Sequence, residues 1–407
     1  MRSLRRVIPW ISGVLVLAVA GFLAATWASD KRVEQLATRW APPPSTFPAI
    51  AGLRVHLRDE GPREDPLPIV LLHGTSSSLH TWEGWAAALR PTRRVIRMDL
   101  PGFGLTGPEP QGDYSITNYV RFVRAVLDSL HVRRAVLAGN SLGGAIAWAV
   151  ALDAPERVAQ LVLVDAGGYP DNSTAVPIGF RIARSPVFGW LARYSLPRSV
   201  VESSVRSVFG DPSRVTPELV DRYYDLTLRA GNRRAVVERF KQPPADSLIG
   251  RLSELRVPTL ILWGGRDRLI SPANAERFHH DIAGSRVVMF PGLGHIPQEE
   301  DPEATVGALG TFLREQSATG RRTERESGGK LHAIVFVNPP DIDGEIPLRV
   351  RRVEDVAELR APDNLRGLVR RSRVYLLCER LVYAVYDRQE FKILCTQLRL
   401  AECPQGA

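Results

Sequence analysis

One turn, residues 139–143 with the sequence Gly-Asn-Ser-Leu-Gly, constrains the fold of this chain more than any other feature. An apolar run precedes the turn and a second one follows it, an order that fits a strand, a sharp turn and a helix. Such a turn strains the backbone at the serine, so the positions beside it must be small, and Gly139 and Gly143 meet that need. The sequence therefore predicts that the hydroxyl of Ser141 is held at the top of a sheet as a nucleophile. A serine that caps a glycine-lined helix start is the alternative.

The chain also offers a base and an acid for this serine. A serine hydroxyl is a weak nucleophile at neutral pH, so it needs a base within hydrogen-bond reach, and the base needs an acid that fixes its tautomer. Three apolar runs, 158–164, 257–263 and 286–290, are predicted strands, and Asp267 and His295 follow the last two. Because a parallel α/β sheet keeps its functional residues at the carboxyl ends of its strands, the sequence predicts Asp267 as the acid and His295 as the base.

Four motifs, taken in order, resemble those of the α/β-hydrolase fold family, and the resemblance covers residues 46–317. It implies an α/β fold with a mostly parallel central sheet, helices on both faces and two-step acyl transfer through Ser141, His295 and Asp267. No cluster of side chains has metal-ligand spacing, so we expect neither a metal nor an organic cofactor. The motifs are Leu71-Leu72-His73-Gly74-Thr75, Asp99-Leu100-Pro101-Gly102-Phe103-Gly104, the serine turn and the late Asp267/His295 pair.

The same resemblance assigns roles to further residues. The oxyanion formed on an attacked carbonyl needs two backbone N–H groups, and these are expected from Leu142, directly after the nucleophile, and from Thr75. Some family members carry the acid after an earlier strand, which makes Asp165 the alternative to Asp267. His73 is expected to be structural, because the histidine of this His-Gly pair is structural in the proteins that the chain resembles.

Between residues 170 and 245 the strand pattern stops and short helices are predicted, as in the cap insertion of the family. A cap covers the serine, excludes water and shapes the substrate site. Packing within the cap accounts for most of its aromatic residues, and their abundance favours an apolar lining and an apolar substrate. These aromatic residues are Phe180, Phe188, Trp190, Tyr194, Phe209, Tyr223, Tyr224 and Phe240.

The expected function is that of a serine hydrolase that cleaves a carboxylic ester of an apolar substrate. The serine turn is similar to those of bacterial esterases and lipases and of carbon–carbon bond hydrolases of aromatic degradation. Several of the latter carry Trp directly after the catalytic histidine, whereas this chain has Ile296 there. Hydrolysis of a carbon–carbon bond, with another carbonyl compound as substrate, is the alternative. A binding or scaffold protein that kept only the hydrolase shell is a second alternative, and the oligomeric state stays open.

The first 28 residues are predicted to anchor the chain in a membrane. The run Val7–Ala28 contains 22 residues and no charge. As a helix such a run would span ~33 Å, against ~30 Å for the hydrocarbon core of a bilayer. Three arginines precede it, so the positive-inside rule predicts a cytoplasmic N-terminus and an exported catalytic domain. A cleaved signal peptide, and hence a secreted protein, is the alternative, although its apolar region is usually only ~7–15 residues long.

Composition separates the regions that flank the predicted hydrolase domain. Residues 29–45 are rich in proline and predict an extended tether. The domain is expected to close with a helix over 304–315, preceded by a solvated acidic run at 299–301. Residues 318–407 form a C-terminal extension of unknown role, and their cysteines are odd in number, so no pairing can be read from the sequence. This extension holds all the cysteines of the chain, Cys378, Cys395 and Cys403.

The net charge of +9 does not indicate a nucleic-acid partner. Three of the basic residues lie before the apolar N-terminal run, and residues 318–407 hold 16 basic and 13 acidic residues. The predicted catalytic domain is therefore only mildly basic and lacks the clustered positive charge that nucleic-acid binding requires.

Overall fold

Atomic contacts divide the chain into two units, Met1–Phe312 and Leu313–Ala407. The structure is a computed structural model. It describes Leu17, Gly21, residues 24–170, 175–185, 188–190, 193–243 and 245–327, and five strands farther along the chain.

A seven-stranded sheet forms the centre of the first unit. Its order is β3-β5-β4-β6-β7-β8-β9, and all of its strands are parallel except the edge strand β3, which pairs antiparallel with β5. A short antiparallel hairpin, β1 (Ala49–Ile50) and β2 (Leu53–Arg54), precedes it. This result confirms the predicted mostly parallel sheet. The strands are β3 (Leu57–Glu60), β4 (Ile69–Leu72), β5 (Val95–Met98), β6 (Ala135–Asn140), β7 (Val158–Val164), β8 (Thr259–Gly264) and β9 (Arg286–Phe290).

The interior strands are buried because their sequences are continuous apolar runs, as expected for strands that are covered on both faces. Every residue of β4, β6, β7 and β8 is buried. Leu72 at the end of β4 pairs with Gly139 in β6. This register brings the loop after β4 next to the turn that carries Ser141.

Helices connect the strands of this unit. The helix that follows Ser141 lies in the core, where all ten residues from Leu142 to Ala151 are buried. Alanine and glycine make up much of it, so it can pack closely against the sheet. The helices outside the predicted cap are α1 (Val33–Trp40), α2 (Glu83–Leu89), α3 (Ile116–Ser129), α4 (Leu142–Asp153), α9 (Ala273–Asp281), α10 (Pro297–Glu300) and α11 (Pro302–Ser327).

In the described part of the stretch 170–245, which was predicted to be a cap, four α-helices lie between β7 and β8. Their apolar side chains form a small core of their own, built around Val201, Val205, Phe209 and Val220. Ile296, directly after His295, belongs to the same core, so this insertion packs against the histidine loop. The four helices are α5 (Ile178–Arg184), α6 (Arg198–Val208), α7 (Pro217–Thr227) and α8 (Asn232–Lys241).

The prediction of an extended tether over residues 29–45 is wrong. Helix α1 occupies the middle of this stretch, with Leu36 only 3% exposed. The Trp40 ring nitrogen donates a hydrogen bond of 3.0 Å to Asp225, and Lys31 forms an ion pair of 2.8 Å with the same carboxylate. The helix forms because apolar residues recur at helical spacing before the prolines. The prolines follow its last residue, since proline in a helix interior would break it.

No helix in the described part of the chain is both long enough and apolar enough to cross a bilayer. The predicted transmembrane run Val7–Ala28 lies mostly outside the described residues, which include only Leu17, Gly21 and 24–28 of it. Where the described chain resumes, Ala28 is 6% exposed, and its N–H donates a hydrogen bond of 2.9 Å to the carbonyl of Tyr194.

The second unit contains a five-stranded antiparallel sheet in the order β11-β10-β12-β13-β14. Cys378 is the last residue of β12 and Cys395 is the last residue of β14, whereas Cys403 lies outside the described residues. The role of this extension stays open. Its strands are β10 (Ala333–Asn338), β11 (Arg349–Val353), β12 (Arg373–Cys378), β13 (Val382–Asp387) and β14 (Glu390–Cys395).

Candidate active site

Ser141 occupies the strained turn between β6 and α4. Its φ of 54° and ψ of −116° lie in a region that residues with a side chain rarely adopt. The turn closes only with glycine on both sides. A Cβ atom on Gly139 would lie 2.1 Å from the carbonyl oxygen of Gly143, and one on Gly143 would lie 2.2 Å from that of Leu72. These distances explain in atomic terms why the sequence has glycine at both positions.

His295 and Asp267 form a buried pair beside this turn. His295 Nδ1 and Asp267 Oδ2 are 2.7 Å apart, and the two residues are 4% and 5% exposed. The other oxygen of Asp267 accepts backbone N–H bonds from Leu269 and Ile270, at 2.7 and 3.0 Å. These bonds hold the carboxylate in one orientation. A carboxylate at Nδ1 keeps the hydrogen of the neutral imidazole on that nitrogen and leaves Nε2 as the acceptor.

Asn140 links the serine turn to the histidine loop, a role that the sequence analysis did not assign. Its side-chain amide donates to the carbonyl oxygens of Val164, at 3.1 Å, and His295, at 2.9 Å. The residue is 1% exposed. Its position directly before Ser141 was visible in the sequence, but the partner of its amide is 155 residues away and depends on the fold.

Asp165, the alternative acid, lies close to the pair but forms no hydrogen bond with His295. Its Oδ1 accepts the N–H of Gly264 at 2.9 Å, and the residue is completely buried with a φ of 44°. Burial, together with the negative charge of Asp267, raises the pKa of Asp165 well above its usual value. Asp165 therefore stays protonated at pH values where an exposed aspartate is ionised.

Asp165, Asp267 and His295 are also the cluster with the closest resemblance to a metal site among the described residues. One potential ligand atom from each lies within 4.8 Å of the others. However, both oxygens of Asp267 and one oxygen of Asp165 already accept hydrogen bonds. This hydrogen-bond pattern fits a carboxylate that orients the histidine better than a bound cation.

Ser141 and His295 both line one apolar cavity of about 150 Å³. Thr75, from the loop after β4, lies in its wall, and a Cβ atom on Gly74 would lie 3.0 Å from the Cβ of Ser141. Leu142 is the first residue of α4, so its N–H belongs to the helix end that has no partner within the helix. Most of the remaining wall comes from α5, α6 and α7, including Phe180, Ala183, Val200, Val205 and Thr227.

His73 and Asp99 hold the loops around this cavity. His73 is completely buried, its Nδ1 donates to the carbonyl of Gly74 at 2.7 Å, and its Nε2 accepts the N–H of Leu100 at 2.9 Å. Asp99 accepts the N–H groups of Leu79 and Leu105, each at 2.7 Å. Burial favours a higher pKa for Asp99, but the charge and hydrogen bond of His56, together with His73 and His80, outweigh burial, so the pKa is lowered. Both nitrogens of His73 are engaged, so it cannot act as a base for the serine.

The prediction that the acidic run at 299–301 is solvated is wrong for Glu299 and Glu300, which join the cap to the histidine loop. Asp301 is partly exposed and accepts the N–H of Ala304 at the start of α11. Glu299 pairs with Arg222 and accepts the hydroxyl of Tyr223 at 2.9 Å. Glu300 is 6% exposed and accepts three backbone N–H groups, two from Gly210 and Asp211 in the cap and one from Gly294 before the histidine. These partners lie up to 90 residues away in sequence, so no local pattern indicated them.

Comparison with known proteins identifies the family of this chain. The family profile described as the alpha/beta hydrolase fold matches residues 68–302. A 2-hydroxy-6-oxo-2,4-heptadienoate hydrolase from Pseudomonas putida is 31% identical over 273 residues, which are 64% of this chain and 93% of that protein. Among solved structures, a bacterial membrane phospholipase A is 25% identical with a TM-score of 0.57, and the match covers 77% of this chain and 97% of that one.

A second solved structure is that of a thermophilic esterase from Thermogutta terrifontis. It is 26% identical to this chain with a TM-score of 0.56, and the match covers 67% of this chain and 97% of the esterase. The profile match covers more than half of the chain and includes the serine turn, the Asp267–His295 pair and the four-helix insertion. The chain therefore belongs to the α/β hydrolase fold family and is an enzyme of the hydrolase type.

Proposed function

We propose that this enzyme hydrolyses a carboxylic ester of an apolar substrate through Ser141, His295 and Asp267. The observation that carries the proposal is the buried Asp267–His295 pair, joined at 2.7 Å, which shares one apolar cavity with a serine on a strained turn. A nucleophile, an oriented base and an apolar binding site in one place are the parts that acyl transfer requires.

The proposed reaction has two steps. His295 Nε2 accepts the hydroxyl proton of Ser141 while Oγ attacks the ester carbonyl, and the tetrahedral intermediate collapses when the histidine returns the proton to the leaving alcohol. Water then attacks the acyl-enzyme with His295 again as base, which releases the acid and restores the serine. The carboxylate of Asp267 stabilises the imidazolium that forms in each step.

The backbone N–H groups of Thr75 and Leu142 are proposed to bind the oxyanion of both intermediates. Two observations support this assignment. The Gly74–Thr75 backbone lies against Ser141, and Leu142 begins α4, where the N–H is free of intrahelical bonds and the helix dipole favours negative charge. Loss of one such donor usually lowers kcat by about 10²- to 10³-fold.

Hydrolysis of a carbon–carbon bond is the second candidate. It is favoured by the likeness to the Pseudomonas putida hydrolase and to a meta-cleavage product hydrolase of Pseudomonas fluorescens, which is 25% identical. Against it, the residue after His295 is the buried Ile296, which packs into the cap. The likeness to an esterase and a phospholipase A, together with the mainly apolar wall, favours the ester.

A series of p-nitrophenyl esters with acyl chains of increasing length tests the substrate class. We expect kcat/KM to rise from acetate to medium chains, because each buried methylene contributes up to ~0.8 kcal/mol, or about fourfold, until the cavity is full. A fluorophosphonate probe should label the same preparation at Ser141. A flat or falling profile, or turnover only of a vinylogous diketone, would move the assignment to the second candidate. A folded protein that takes up no probe would instead indicate a binding or scaffold protein.

The N-terminal run Val7–Ala28 is proposed to be an uncleaved single-pass anchor, with a cytoplasmic N-terminus and an exported catalytic domain. Its length, its lack of charge and the three arginines before it support this proposal. We expect the full chain to stay in membranes washed with alkaline carbonate and to be released by detergent. External protease should remove the catalytic domain. A carbonate-soluble product that begins after residue 20 or 28 would establish the alternative, a cleaved signal peptide.

A further inference from the structure

Exposed apolar side chains are concentrated in one region of the first unit. Among the described residues, all the large exposed ones except Met289 belong to the N-terminal segment or to residues 178–194. Trp27, Phe188 and Trp190 each expose more than half of their surface, at 59%, 55% and 55%. Burying such side chains in an apolar phase is favourable, so their concentration marks an interaction surface.

Direct contacts join these two segments into one surface. The rings of Trp27 and Tyr194 stack with their centroids 5.5 Å apart, and the N–H of Ala28 bonds to the carbonyl of Tyr194. Thr26 and Ser195 form a further side-chain hydrogen bond of 2.7 Å. The uncharged run that begins at Val7 therefore ends on this surface. We call the surface the aromatic patch, defined by Trp27, Ile178, Phe188, Trp190 and Tyr194.

The charged side chains of the cap segment that carries the patch are all basic. Residues 175–201 contain four arginines and no acidic residue. Arg193 and Arg198 form ion pairs with acids elsewhere in the cap. Arg181 and Arg184 are exposed and form no ion pair with any described residue, although the Arg184 guanidinium lies 4.6 Å from the centroid of the Phe240 ring. Aromatic rings combined with unpaired basic side chains are the composition of protein surfaces that bind anionic lipid headgroups.

The aromatic patch adjoins the cavity wall at Ile178. Pro177, Gly179, Phe180 and Ala183 line the cavity, and Ile178, between two of them, is 40% exposed. One short segment therefore presents its inner side to the cavity and its outer side to the surroundings. At Ile178 the patch is therefore separated from the cavity only by this segment.

We infer that the aromatic patch is the surface by which the cap rests on an anionic bilayer, so that apolar substrate passes from the lipid into the cavity. The apolar run Val7–Ala28 argues for lipid over other partners, because a chain anchored by that run delivers the patch to the bilayer surface. A second copy of the chain fits less well, since it would place Arg181 and Arg184 of one copy near those of the other. The route for the substrate rests on the proposed ester hydrolysis, whereas the contact with lipid rests only on the proposed anchor.

Fluorescence quenching tests the contact without reference to activity. The full chain and W190F are reconstituted into vesicles of phosphatidylcholine and phosphatidylglycerol with brominated acyl chains. The difference between the two spectra reports Trp190 alone. We expect the Trp190 signal to fall in brominated vesicles relative to unbrominated ones, and to fall less when phosphatidylglycerol is omitted. A Trp190 signal that bromine does not change would overturn the inference. If that unchanged signal came with a cross-linked dimer, it would assign the patch to a second copy of the chain.

Activity of the reconstituted enzyme tests the route of the substrate. The double variant F188S/W190S should lower hydrolysis of an ester embedded in the vesicle by about tenfold or more, and should leave hydrolysis of a soluble short-chain ester within about twofold. M289S removes an exposed apolar side chain outside the patch and should change neither rate. Equal losses on both esters would overturn the route. A wild-type enzyme inactive on every ester would instead contradict the proposed function, while the quenching result would still decide the lipid contact.

Discussion

Replacing Ser141 by alanine should lower kcat for ester hydrolysis by about 10⁴- to 10⁶-fold, because the members of a catalytic triad act as a unit. Alanine keeps the Cβ atom and the backbone bonds of the turn, including the N–H of Gly167 donated to the Ser141 carbonyl at 2.9 Å. The fold should therefore be retained. Hydrolysis of a medium-chain p-nitrophenyl ester measures the loss, and circular dichroism checks the fold.

Two further variants make this result specific. His295→Gln should lose activity to a similar extent, because the serine then has no base. Ser203→Ala changes an exposed serine on α6 and should keep wild-type kinetics and labelling by the fluorophosphonate probe. Ester hydrolysis that survives in Ser141→Ala would remove Ser141 as the nucleophile, whatever the His295 variant shows.

The central sheet was predictable because its signal is local. The predicted strands 158–164 and 286–290 have the same bounds in the structure, and 257–263 is displaced by one or two residues at its ends. Continuous apolar runs bounded by turns specify such strands without reference to their neighbours. The two glycines of the serine turn were equally predictable, since a strained turn admits little else.

The prediction of a tether over residues 29–45 was wrong because it rested on the prolines alone. Residues 42–44 are prolines and indicate an extended chain, yet the eight residues of α1 come before them. A short helix has too few turns for its apolar period to stand out, and in proteins it is stabilised chiefly by tertiary contacts. Here those contacts include Leu36 and the Trp40–Asp225 hydrogen bond, which involve distant parts of the chain.

The cap shows the same limit at the level of side chains. The abundance of aromatic residues in the cap favours an apolar lining, but of those eight residues only Phe180 and Tyr223 line the cavity. Phe209 lies in the core of the cap, and Phe188 and Trp190 are exposed. Composition shows how many apolar side chains a segment has, whereas the direction in which each one points depends on how the helices pack.

The two aspartates near His295 should respond very differently to replacement by asparagine. Asp267→Asn should lower kcat by about 10⁴-fold, because an amide cannot hold the imidazole in the required tautomer or stabilise its charge. Asp165→Asn should keep kcat within about tenfold, since Asp165 accepts a backbone N–H and makes no bond to the histidine. The measurement is a pH profile of kcat for both variants. The reverse order would place the acid after β7.

Asp165→Asn should also change how stability depends on pH. Because the pKa of Asp165 is raised in the folded protein, the folded state holds a proton that the unfolded state releases above its ordinary pKa of about 3.9. The contribution of Asp165 to the free energy of unfolding of the wild type is therefore fully present below that pH. It is lost as the pH rises through the pKa that Asp165 has in the folded protein. Asparagine resembles the protonated acid and does not titrate. The free energy of unfolding of the variant should therefore rise relative to that of the wild type by about 1 kcal/mol or more between pH 5 and pH 8. Urea unfolding at both pH values measures this gain. If the variant and the wild type differed in free energy of unfolding by the same amount at both pH values, Asp165 would already be ionised in the folded protein, beside the carboxylate that orients His295.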